Sequence, residues 1–164
     1  FFLYPDKKID FLFVAQKIKD IIIFDLRKDT LIFINNNIKC SFFEYPYPLL
    51  ERPAFVKELQ IAVSSDKDIA AMKAIAIIQR GEKKDFFDLW FLMKEKHWSI
   101  QNIIDFCQQK YGNLFNSSLF LKALVFFNDA EEQEIQQIDH HWQQIKKFFL
   151  QLTKCYIDDI SRHG

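Results

Sequence analysis

Between Asp66 and Met93 the chain reads as buried helix, yet Lys73, Arg80, Asp85 and Asp88 stand among its apolar residues. Lys73 and Arg80 are seven positions apart. That is close to two helical turns, so both side chains leave one helix face, ~10 Å apart along its axis. Asp85 and Asp88, three apart in the following helical stretch, also share a face. The short Gly81-Glu82 link lets the second helix fold back and bring its carboxylates to the two cations. Such a set can hold a polyphosphate: cations take the phosphate oxygens, while a carboxylate orients a cation or helps to bind a metal. The structural alternative is an ordinary ion-pair network. Lys84 and Asp88 have i, i+4 spacing, and Lys73 also suits the solvated side of an amphipathic helix.

The elements that must position these charges change character along the chain. Phe1 to Tyr4 is an aromatic run stopped by Pro5, as at the end of a strand. Asp6 is placed to cap a helix running through Asp10 to about Lys19, with Ile9, Leu12, Phe13, Gln16 and Lys17 along one face. Strands follow over Ile21 to Leu26, Leu31 to Ile34 and Ile38 to Tyr45, at hairpin spacing, so the sheet should be largely antiparallel. Pro46, Pro48 and Pro53 make a connector, packed by Tyr45, Tyr47, Leu49 and Leu50. A further short strand is expected around Leu59 to Ala62. After Ser65 the period becomes helical. Ser65 with Asp68 resembles a capping box, and Gly81 suits a left-handed helix end. Helices are expected over Asp66 to Arg80, Lys83 to Lys94, Ile100 to Lys110, Ser117 or Ser118 to Phe127, and Ile135 to Tyr156, with an acidic loop from Asp129 to Glu132. Strands then helices make an α+β chain: a sheet part over residues 1–64 and a helical part over residues 65–164 carrying the four charges.

Composition bounds the function. Hydrophobic residues make up 49% of the 164, and 19 are Phe, which argues for a real core and against disorder. Only 3 Gly and 4 Pro favour long helices over a turn-rich all-β fold. Lys+Arg and Asp+Glu both number 22, so no global field draws the chain to nucleic acid or an acidic membrane. The 3 cysteines, Cys40, Cys107 and Cys155, lack CxxC spacing and read as reduced thiols of a cytoplasmic protein. No apolar run reaches ~18 residues, so no transmembrane helix is expected, and the first residues do not read as a signal peptide. His140 and His141 are adjacent on a helix, ~100° apart, and do not chelate as an i, i+4 pair would.

Three motifs carry a resemblance. Asp68-Ile-Ala-Ala-Met-Lys73, Arg80-Gly81 and Lys84-Asp85-Phe-Phe-Asp88-Leu89 resemble the conserved segment of AbiEii/AbiGii-type nucleotidyltransferase toxins. Upstream, Lys39-Cys-Ser-Phe-Phe-Glu-Tyr-Pro-Tyr-Pro-Leu-Leu50 is similar to the strand and connector preceding that segment. Downstream, Leu124-Val-Phe-Phe-Asn-Asp129-Ala-Glu131 is similar to a motif of the helical tail. The resemblance implies a partial polymerase-β-like nucleotidyltransferase sheet followed by a C-terminal helical bundle. It implies transfer of a nucleotide from an NTP with Mg²⁺, tRNA as an acceptor among relatives, and an antitoxin as partner. It would make Lys73, Asp85 and Asp88 catalytic, with Lys73 on the triphosphate, either aspartate as the supporting carboxylate, and Arg80 positioning phosphate or an aspartate.

The family's Gly-Gly-Thr/Ser loop and Asp-x-Asp pair do not occur in this sequence, and Ser41 stands near the place of a third acidic residue. Glu44 falls on the opposite strand face. The opening Phe1-Phe2 resembles residues that follow Asp-x-Asp, so the expectation is a truncated and inactive fragment of such an enzyme. The competing expectation is a non-enzymatic helical domain that binds an antitoxin-like protein. An enzyme should show Lys73 and an aspartate in an open cleft beside the sheet; an interaction domain should show them closed in an ion pair.

Overall fold

The computed structural model describes residues 2–3 and 9–163, and its packing forms two compact units, Phe1–Pro48 and Leu49–Gly164. The sequence alone suggests a division after residue 64; the packing groups the connector from Leu49 onward, and the short strands after it, with the helices.

In the first unit three β-branched or aromatic runs become β2 (Ile21–Arg27), β3 (Thr30–Asn35) and β4 (Ile38–Glu44), an antiparallel meander. Asn36 and Asn37 turn the second hairpin at φ +48° and +63°, a left-handed pair that asparagine tolerates best among side-chain-bearing residues. β1 (Phe2–Leu3) runs parallel to β4, so the sheet order is β1-β4-β3-β2. Period-two alternation sends Leu31 and Phe33 of β3 and Cys40 and Phe42 of β4 to one face. There Phe33 and Phe42 stack at 5.7 Å. The helix α1 (Phe11–Lys17) covers this face with Phe11 and Ala15. Its cap differs from the expectation: Asp10 accepts from the Phe13 amide at 3.1 Å, and Asp6 lies outside the described residues. Its buried face also differs. Leu12 and Phe13 are exposed, because the sheet takes the stripe through Phe11 and Ala15, one residue out of phase with the expected one.

The second unit begins with a two-stranded antiparallel hairpin, β5 (Ala54–Val56) and β6 (Ile61–Val63). Leu59, expected in a strand, sits exposed in its turn. The helices α2 (Asp66–Gln79), α3 (Lys83–Lys96), α4 (Ile100–Tyr111), α5 (Ser117–Ala123), α6 (Asn128–Glu131) and α7 (Gln136–His163) follow. α2 is the centre, packed against α3, α4 and α5. Its fully buried Ala70, Ala71 and Ala74 let those neighbours approach closely. Ile69 and Met72, expected in the core, are only partly buried. Gly81 ends the helix at φ +55°, in the left-handed region as its type foretold. α7 closes on α3 through Trp142 and Phe149, whose rings meet Phe86 at 5.9 and 5.8 Å. Two expectations need correction here. The fourth helix stops at Ala123 rather than Phe127, and Asp129 to Glu131 belong to the short helix α6, not a loop. Acidic side chains suit a helix N-terminus electrostatically, so acidity alone did not mark a loop.

Candidate functional site

The Gly81 turn reverses α2 into α3, and this is what brings the four sequence-spaced charges together. Arg80 donates to Asp85 from Nε at 2.8 Å and Nη2 at 3.0 Å, a bidentate fork. Lys73 donates to Asp85 Oδ1, which also accepts from Arg80 Nη2, at 3.1 Å and reaches Asp88 at 2.5 Å. Asp85 is 0% exposed, Lys73 23% and Asp88 41%, so the network runs from core to surface. Lys84 pairs with Glu82, not with Asp88. Burial alone would raise the Asp85 carboxyl; hydrogen bonds from Arg80 and Lys73 outweigh it and hold the group below its usual range. Burial likewise disfavours the Lys73 charge, but Asp88 and then Asp85 keep its ammonium above its ordinary pKa. Asp85 raises Arg80, chiefly through the fork.

Chemically, this is a cation pair pre-positioned by a buried carboxylate. Asp85 is closed in ion pairs. Lys73 and Asp88 form the accessible edge, and Arg80 has its side chain about half exposed. Arg80 also lines a cavity of about 310 Å³, with Ile77, Ile78, Gly81, Lys122, Phe126 and neighbours. Lys73 does not line it.

A second charged cluster escaped the sequence reading. Asp68 and Lys110, both 0% exposed, pair at 2.6 Å. The Asp68 carboxylate also accepts the Leu50 amide at 3.0 Å, the Glu51 amide at 3.3 Å and the Ser65 hydroxyl at 2.7 Å. Burial pushes Asp68 up; Lys110, Leu50 and Ser65 together bring it below its usual value. Lys83, also buried, donates to Asp139 at 2.8 Å and to the Gln133 carbonyl. One signal was available: a carboxylate beside Ile69, Ala70 and Ala71 needs a cation if that face is core. His141 packs on Trp90 at 5.7 Å, within an aromatic cluster.

Set beside known sequences, the chain is of nucleotidyltransferase type. The family model described as "Nucleotidyl transferase AbiEii toxin, Type IV TA system" matches residues 36–159, and the chain belongs to that family. The uncharacterized protein aq_aa25 of Aquifex aeolicus (strain VF5) is 42% identical over 162 residues, covering 97% of this chain and 78% of that protein. No solved structure matches the chain. Nucleotidyl transferases of this family generally use a divalent metal. Among the described residues no three His, Cys, Asp or Glu gather to hold one. Both Asp85 oxygens are already taken by cations, and Mg²⁺ demands several oxygen ligands in octahedral geometry. The residues of this site therefore do not fit a metal ion. Among the described residues no helix is long and apolar enough to cross a membrane.

Proposed function

We propose that this chain supplies the phosphate-holding side of an AbiEii-type nucleotidyltransferase that moves a nucleotide from an NTP to an acceptor. tRNA is the acceptor to test first, an antitoxin the protein partner, and the cytoplasm the setting. The observation that carries this reading is the meeting of Lys73, Arg80, Asp85 and Asp88 across the α2–α3 turn, in a chain of this family. Asp85 is a positioning residue: buried and doubly paired, it fixes the two cations. Lys73 then offers its ammonium to the triphosphate, and Arg80 the free edge of its guanidinium. Asp88, at the surface, acts as a supporting carboxylate that orients the Lys73 ammonium toward the triphosphate. Metal-binding carboxylates would come from outside the described residues, so this chain alone is expected not to transfer. Incubation with labelled NTPs, Mg²⁺ and total tRNA tests that, and appreciable transfer would overturn it. In a protein that adds a Gly-rich loop and Asp-x-Asp segment, Lys73→Ala and Asp88→Ala should each abolish transfer while melting as the parent does. Activity in both variants would defeat the assignment.

The full burial of Asp85 in a closed pair favours a second reading, in which the four charges are structural and the helical unit binds an antitoxin. Under it, Lys73→Ala lowers the melting temperature and leaves NTP binding untouched.

A further inference from the structure

Arg80 belongs to two features that the transfer reading leaves apart: the Lys73–Asp85 network and the 310 Å³ cavity. We propose that this cavity receives the nucleobase and ribose of the NTP whose phosphates Lys73 and Arg80 hold; the inference rests on that reading. The chemistry of the lining sets the direction of the ligand. Ile77, Ile78 and Gln79, the end of α2, line the cavity, and the carbonyls of a last helical turn have no amide partner within the helix. Together with Asp129 they accept hydrogen bonds, as exocyclic amino groups and ribose hydroxyls require. A helix C-terminus also repels anions, so phosphates do not belong inside the cavity. They belong outside it, at the Arg80 and Lys73 heads, which meet on Asp85 Oδ1.

The remaining walls suit a base. Phe126 is 55% exposed. Its ring lies at the edge of the cavity beside Leu119 and Ala123, an apolar surface on which any base can stack. Lys122 is exposed and has no ion pair among the described residues. With Arg80 it makes the rim cationic, complementary to an anionic ligand. The volume lies at the small end of ligand pockets, which fits a nucleoside rather than a macromolecule.

The test is equilibrium dialysis of the full chain with each radiolabelled nucleoside triphosphate, and inorganic triphosphate as competitor. Ala123→Trp, which fills the cavity, and Phe126→Ala, which removes the stacking face, should each weaken nucleotide binding about tenfold. Neither should change competition by inorganic triphosphate, which uses only the phosphate side. Lys73→Ala should weaken both ligands. Phe126 is a surface residue, so its variant reports even where Ala123→Trp fails to fold. If Lys73→Ala weakens binding and both cavity variants bind as the parent, the cavity assignment falls and the Lys73 reading stands. If the cavity variants weaken and Lys73→Ala does not, the cavity stands and the Lys73 reading falls. Absence of nucleotide binding by the parent chain, or capture of an acidic peptide in its place, overturns the inference.

Discussion

Asp85 and Asp68 are both carboxylates with no exposed surface, and both are held below their ordinary pKa by cations and hydrogen bonds. A depressed folded pKa contributes stability above the unfolded value, ~3.9, and that stability is lost as pH falls through the folded value. The melting temperature should therefore hold from neutral pH down to about pH 4 and drop below it. Asp85→Asn and Asp68→Asn should each flatten that acid limb, and an unchanged limb in both would show that other groups set it. The Asp68–Lys110 pair makes a second prediction. Lys110→Ala leaves a buried charge without its cation, at a cost of roughly 3–5 kcal/mol, read by chemical denaturation. Asp68→Asn combined with Lys110→Met removes both charges and should recover part of that loss. The four motif charges were legible from spacing alone, because helical period places them. Lys110 was not: 42 residues separate it from Asp68, and no period reports a pairing across that distance. Cys107, pushed up to about 12 by burial, behaves as a packed thiol rather than a reactive one.

Among the elements, the α2–α3 turn is the one on which the site depends. Gly81 at φ +55° sets its angle, and a Cβ there would meet the Ile77 carbonyl at an ordinary 3.6 Å. Gly81→Ala is therefore strained by backbone conformation, not by crowding, and should cost about 1–2 kcal/mol. Because the turn aims Asp85 at both cations, that variant should also weaken NTP binding more than a remote variant of equal stability. Ser99→Ala supplies the comparison. It removes the α4 capping box, in which Ser99 accepts the Asn102 amide at 3.2 Å, and should cost about 1 kcal/mol without touching nucleotide. The helix start at Ser65 was readable because capping chemistry is local. The buried stripe of α1 was not, since Leu12 and Phe13 are as apolar as Phe11 and only the sheet decides which row it covers.

At the scale of the molecule, two units meet in sequence at Pro48 and Leu49. Leu50 and Glu51 donate their amides to Asp68, so the connector is tied to the helical unit from its second residue onward. Limited proteolysis should cut before Leu50 and leave residues 50–164 as a resistant product, identified by mass. Cleavage within α2 or α3 at comparable rates would contradict the division. Strand-then-helix order was plain in the sequence, but the side on which the connector belongs was not, because its tether is Asp68, a carboxylate inside a helix 18 residues on from Leu50. That tether has a temporal side as well. A chain leaving the ribosome exposes Asp68 well before Lys110, 42 residues later, has been made. Until then the carboxylate has no cation and stays in water, and the alanine face of α2 cannot close around it. Maturation of the helical unit must therefore wait for the end of α4, however early α2 itself becomes helical.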